Sequence, residues 1–243
     1  LLSTSVPVST DSKDMESLQG HVVRWGKVTI SDGEKEVVLT GGPDNRFIPP
    51  YSYTTAKMRG QAGKTYTVTA EYNGYSVTAS TTIPECKELE YLRTEEVHPG
   101  KFRILAGVKD DPSQKNYYKF FVKREGKDST YMSSFLGLVN DEILSDRTEE
   151  IAVYNGMSVR DDEFNQYFSE DDVVYIRFSS MDETSWKYWD GFEEIQSLSR
   201  NPFFPVSNTI KSNIVGGLGY WAGYGSSYYK LPISSSSDDG NGL

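Results

Sequence analysis

The chain has 243 residues, 35 acidic against 25 basic side chains, a formal net charge of −10 and a hydrophobic content of 37%. That acidity repels phosphate backbones and anionic lipid surfaces, which argues against nucleic-acid and membrane-surface binding, and no apolar run approaches a membrane span. The 17 Tyr, 11 Phe and 4 Trp carry enough buried area for a core in one large domain or two modest ones, and they favour β structure.

The chain opens Leu1-Leu2-Ser3 without Met and without a charged or apolar leader. This reads as a trimmed or processed chain whose signal or lipid-attachment segment belongs to a longer precursor. A short strand pattern and a polar run (11–16) come first. From His21, Val22, Trp25, Val28 and Ile30 lead into the turn Ser31-Asp32-Gly33-Glu34, and Val37-Val38-Leu39 returns on the other side, a predicted hairpin. Residues 45–53 read as a Pro/Tyr-rich loop.

Strict alternation resumes after Gly63 through Tyr66, Val68, Ala70 and Tyr72, and Asn73-Gly74 is a strong two-residue hairpin signal with Tyr75, Val77 and Ala79 as the returning partner. Short strands with turns at this spacing predict an antiparallel sandwich, in which Tyr66 occupies the place of a corner tyrosine. Ile83-Pro84-Glu85-Cys86-Lys87-Glu88 breaks the pattern and marks a domain boundary. Cys86 is the only cysteine, so no intrachain disulfide exists, which fits the cytosol or an envelope protein that does without disulfides.

Further strands are expected at 102–108, 116–123, 131–139 and 172–178, with long acidic loops at 140–163. A helix is predicted near 183–198: Tyr188, Phe192 and Ile195 share a face flanked by Trp189 and Leu198, and Asp182 or Thr184 is placed to cap it. Residues 201–225 mix Pro, Asn and Gly with large aromatics, which implies backbone passing close to backbone in tight β corners, closing strands against the helix. The tail 234–243 is Ser, Asp and Gly and is expected to be disordered.

The order of these features resembles the DUF4249 family of Bacteroidetes lipoproteins. The most specific part is Ser212-Asn-Ile-Val-Gly216-Gly-Leu-Gly219; the hairpin around Gly33, Gly63-Lys-Thr-Tyr66, the exit at Pro84, Trp186-Lys-Tyr-Trp189 and Asn201-Pro-Phe accompany it. The resemblance implies an immunoglobulin-like N-terminal part, an outer-membrane or periplasmic location with a lipid anchor in the precursor, and association with a TonB-dependent transporter. It implies no catalytic residues. The first strand and the lipid-attachment cysteine of such a protein are expected upstream of Leu1.

Candidate chemistry is sparse. His21 and His98 are the only histidines, and no Gly-x-Ser-x-Gly elbow, zinc spacing or Asp-x-Asp-x-Asp-Gly calcium loop is present. The clusters Asp110-Asp111, Asp161-Asp162-Glu163 and Glu170-Asp171-Asp172 read as solvated turns before they read as calcium ligands. The glycines 216, 217, 219 and 223 do not match a phosphate loop. The aromatics are the better lead. Trp221, Tyr224, Tyr228 and Tyr229 are the candidate contacts for a glycan, a peptide or a protein partner, beside their role in a Leu-poor core.

The sequence therefore predicts a mainly β chain: an immunoglobulin-like β-sandwich (1–86), then a second β-rich domain carrying one packed α-helix (87–233). The expected role is non-enzymatic, a binding or accessory lipoprotein of the cell envelope, with no cofactor or metal. The alternatives are an envelope glycan hydrolase built on paired carboxylates and a structural spacer.

Overall fold

A computed structural model describes residues 1–4, 19–47, 49–109, 111, 113, 115–140, 143–144, 147–156, 164–198 and 210–234, with the side chains of 195–198 excepted. The acidic cluster at 161–163, the Asn201-Pro-Phe stretch and nearly all of the tail lie outside the described residues, as do the side chains of Ile195 and Leu198 on the predicted helix face. The chain is mainly β, in antiparallel sheets with one long helix among the described residues. It divides into two compact units, residues 1–82 with 212–223 and residues 83–211 with 224–243. The division falls near the Pro84 break, and the segment 212–223 returns to the first unit.

In the first unit the predicted hairpin forms. Strands β1 (Lys27–Ser31) and β2 (Glu36–Val38) pair through Thr29 and Val38. The turn closes because Asp32 Oδ1 accepts the Glu34 and Lys35 amides at 3.2 and 2.8 Å. β3 (Thr40–Pro43) and β4 (Tyr51–Thr54) form a separate two-stranded ribbon. The loop expected at 45–53 is therefore shorter, and its tyrosines are strand residues. The Tyr51 and Tyr53 hydroxyls each donate to a carbonyl, of Arg24 and Val23, at 2.8 Å.

Strands β5 (Thr65–Tyr72) and β6 (Tyr75–Thr82) meet at Asn73 and Gly74, both at positive φ (48° and 80°), as a two-residue hairpin turn of this type requires. The sheet order is β2-β1-β5-β6. Val28, Val37, Tyr66, Ala70 and Ala79 are buried on it, while Thr65–Thr82 and Thr67–Ser80 hydroxyl pairs, each 2.7 Å apart, line other cross-strand positions. The Tyr66 hydroxyl accepts the Gln61 amide and donates to the Arg59 carbonyl, the local geometry expected of a corner tyrosine.

The second unit holds the larger core. β9 (Tyr117–Arg124), β10 (Met132–Asn140), β12 (Val173–Ser180) and β13 (Gly225–Pro232) form a sheet in the order β10-β9-β12-β13. β7 (Tyr91–His98), β8 (Lys101–Lys109) and β11 (Thr148–Val153) form a second, in the order β11-β8-β7. Phe120, Val122, Ile176 and Phe178 from the first sheet and Phe102, Ile104, Val108 and Val153 from the second join one buried cluster. Alternation makes this possible: one set of side chains from each strand enters the core and the other faces away.

Helix α1 (Glu183–Leu198) packs on β9 and β10. Asp182 is its cap: Oδ1 accepts the Ser185 amide at 2.7 Å, and Glu183 supplies a negative charge to the first turn. The expected closing strands within 210–224 do not form. That stretch makes one isolated bridge, Val215 to Thr78 of β6, and the strand that closes a sheet is β13, beginning where the glycines end. Close backbone approach is nonetheless real. A Cβ on Gly225 would lie 2.2 Å from the Pro84 carbonyl oxygen, and one on Gly216 would lie 2.7 Å from that of Ser76.

Candidate functional site

The densest grouping of aromatic and charged side chains lies on the face of the β10-β9-β12-β13 sheet that points away from the core. Register builds it. Arg177 of β12 is directly opposite Phe121 of β9 on one side and Tyr228 of β13 on the other. Because side chains alternate, these three stand in one row across three strands. Tyr131, just before β10, and Tyr224, just before β13, complete the surround.

The Arg177 guanidinium carbon lies 4.0 Å from the Phe121 ring centroid, 5.4 Å from Tyr131 and 5.9 Å from Tyr224. These are cation–π distances. Tyr131 and Tyr228 meet edge to face with centroids 6.2 Å apart. Arg177 makes no ion pair among the described residues, and its Nε is buried without a hydrogen-bond partner among them. Burial lowers its pKa from the ordinary value; the Tyr228, Tyr224 and Tyr131 phenols act the other way. A half-desolvated cation held by rings rather than by a carboxylate is an uncommon way to place an arginine. Tyr228 is 62% exposed, so the face is reachable from solvent.

One row further along, Lys119 is fully buried and paired with Glu193 of α1. Its ammonium also lies 4.8 Å from the Trp189 ring centroid. Burial pushes its pKa down and Glu193 pulls it back up. Trp189 Nε1 donates to the Tyr224 hydroxyl at 2.8 Å, and Phe121 meets both rings edge to face. The helix therefore fixes Tyr224 and Phe121, and through them the surroundings of Arg177. In the row on the other side, the Tyr175 hydroxyl and Lys230 both engage Glu125, and the carboxylate lies below its usual range, held by the Tyr175 hydrogen bond first and Lys230 second.

The four residues singled out from sequence separate. Tyr224 and Tyr228 come together around Arg177. Tyr229 packs against the core, and its hydroxyl accepts the Leu89 amide at 2.7 Å. Trp221 belongs to the first unit, where Asn213 grips its backbone: Oδ1 accepts the Trp221 amide at 2.9 Å and Nδ2 donates to its carbonyl at 2.6 Å. Sequence reasoning missed Arg177, Phe121 and Tyr131. One signal was available: Arg177 is the lone charge in the otherwise uncharged run Val173-Val-Tyr-Ile-Arg-Phe178.

The remaining candidates find structural settings. His21 Nδ1 is 3.1 Å from the Thr4 hydroxyl, and His98 meets Tyr167 edge to face. Asp172 is no solvated turn residue: it is buried, accepts the Ser169 amide and pairs with Lys127. Asp111 accepts the Ser113 amide and hydroxyl. Asp190 has a raised pKa, through desolvation first and Glu194 second, but the two sit one turn apart on α1 rather than opposed across a cleft. Cys86 is exposed and free of any disulfide. Among the described residues no group of three or more His, Cys, Asp or Glu could hold a metal ion, and no helix is long and apolar enough to cross a membrane. A shallow cavity of about 250 Å³ in the first unit, bordered by Arg24, Asn45, Pro50 and Tyr51, falls below the usual ligand-pocket range of roughly 300–1,000 Å³.

The fold and this face together define a mainly β protein of two units with an arginine set among aromatic rings. The chain belongs to the family described as domain of unknown function DUF4249, which matches residues 1–230. No curated protein matches it.

Proposed function

We propose that the chain is a non-enzymatic recognition protein of the cell envelope, and that the face around Arg177 is where it binds. The supporting observation is Arg177 itself. Burying part of a guanidinium without a carboxylate costs stability, and this chain keeps it at a solvent-reachable surface among four rings. Such an arrangement suits the binding of an external group better than it suits packing. Aromatic anchors beside an arginine are also the composition of binding hot spots.

Membership in DUF4249 supports the wider setting. In that setting the chain is the soluble part of a lipoprotein of the outer membrane or periplasm, anchored by a lipid on the precursor, and it works beside a TonB-dependent transporter. Two measurements test the reading. A transporter is expected to co-purify with the full chain from detergent-solubilised envelope, and glycan or peptide libraries are expected to be retained without cleavage. Turnover of any library member sinks the non-enzymatic reading. Retention that Tyr228→Ala and Arg177→Met leave unchanged sinks recognition at this face.

A further inference from the structure

Resting on that reading, we propose that the ligand is an acidic saccharide, whose ring carboxylate pairs with Arg177 while its apolar C–H face lies on Tyr228. Three observations carry the choice. The first is stoichiometry of charge: the row Phe121–Arg177–Tyr228 supplies one guanidinium within cation–π distance of rings, acted on by the Tyr228 phenol but paired with no carboxylate among the described residues, so one planar, singly charged acceptor would balance it. A carboxylate matches that fork in shape and charge.

The second is the exposed ring. Tyr228 is 62% exposed and stands edge to face with Tyr131, so one flat aromatic face is offered to solvent next to the cation. A pyranose carries C–H groups on one face and hydroxyls around its rim. The rim fits the neighbouring hydroxyl of Tyr131 as well as that of Tyr228.

The third is position within the sheet. A peptide that binds a sheet by main-chain pairing adds to an edge strand, and the edges here are β10 and β13. Arg177 lies one strand inward, on the face, where a ligand reads side chains and gains no backbone ladder. The local charge stays positive when Glu125, which pairs with Lys230, is counted: Lys123 and Lys230 stand one row away from Arg177 on the flanking strands, in a chain of net charge −10.

The test is titration of the full chain with trigalacturonate, its methyl ester, a neutral trisaccharide of the same length, and a short peptide with a free or amidated C-terminus, followed by calorimetry and by tyrosine and tryptophan fluorescence. The expected result is saturable binding of trigalacturonate that weakens with added salt, drops at least tenfold on esterification, and drops at least tenfold in Arg177→Met. Tyr228→Ala, at an exposed position, guards against the case in which Arg177→Met fails to fold; it is expected to weaken binding similarly with an unchanged melting temperature. Equal binding of the ester or the neutral sugar overturns the acidic-saccharide assignment and leaves recognition at this face standing. Binding of the free peptide carboxylate in its place does the same. No trigalacturonate bound at about 10 mM, where a millimolar Kd is still visible, overturns the assignment; if the libraries are not retained either, the recognition reading falls with it.

Discussion

Phe121 and Arg177 are direct cross-strand partners on β9 and β12, and the guanidinium lies 4.0 Å from the ring centroid. Phe121 also meets Trp189 of the helix and Tyr224 edge to face. Its ring is the point at which sheet, helix and arginine are joined. Phe121→Ala is expected to cost about 3 kcal/mol, the usual range for a buried phenylalanine, and to lower the near-ultraviolet dichroism of the tryptophans. Denaturant unfolding measures the first and a folded-state spectrum the second. A loss under about 1 kcal/mol would show that the ring is not the joint described.

The Lys119–Glu193 pair calls for a double substitution. Glu193→Ala leaves a buried ammonium without that carboxylate and is expected to cost about 3 kcal/mol. Lys119→Met with Glu193→Met removes both charges and is expected to be close to neutral, because desolvating the pair offsets most of its attraction. Urea midpoints of the two single variants and the double variant decide the matter. A double variant as unstable as Glu193→Ala would mean that the pair contributes more than its burial costs.

Gly225 is where β13 passes under Pro84. Gly225→Ala places a methyl group 2.2 Å from the Pro84 carbonyl oxygen and 2.8 Å from the Glu85 carbonyl carbon, and backbone cannot swing aside as a side chain can. A loss of about 1–3 kcal/mol is expected from overpacking. Gly42, with nothing within 4 Å of its would-be Cβ, is the control, and Gly42→Ala is expected to be milder.

Acid sensitivity has an identifiable contributor in Glu150. The Arg93 guanidinium binds its carboxylate through two hydrogen bonds of 2.9 Å and the Tyr91 hydroxyl adds a third, which hold it below the ordinary value of 4.5. The folded state thus binds that proton less readily than the unfolded state. The stabilisation is complete above about pH 4.5 and is lost as pH falls through the lowered folded value. Both side chains are well exposed, so the effect is screened and small. A plot of melting temperature against pH is expected to fall less steeply below pH 4.5 for Glu150→Gln than for the wild type. Superimposable slopes would remove Glu150 from the account.

Local signals were the legible ones. Asn73-Gly74 forms its turn because two consecutive positive φ values are cheapest for these residue types. Asp182 caps α1 because its side chain reaches the Ser185 amide within one turn. β7 was not legible: its edge position leaves Tyr91, Arg93 and Glu96 exposed, so it carries charge where a strand pattern expects apolar residues. β13 was hidden by Gly225-Ser-Ser227, which reads as a loop until β12 supplies a partner for every residue from Gly225 to Pro232. The Arg177 face could not be read at all as a cluster, because residues 121, 131, 177, 224 and 228 become neighbours only through register. The aromatic lead pointed to Tyr224 and Tyr228, but single-residue reasoning could not tell which face of β13 each tyrosine would take.

The bridge between Thr78 and Val215 joins residues far apart in the chain: each amide donates to the other's carbonyl, at 3.0 and 2.8 Å. During vectorial synthesis β6 leaves the ribosome soon after its partner β5 but long before Val215. The N-terminal unit, although most of it emerges before the second, must wait for a late arrival before that pairing is made. A nascent chain halted after Thr82 would present Thr78 with an open hydrogen-bonding edge, which a chaperone or another strand could meet first.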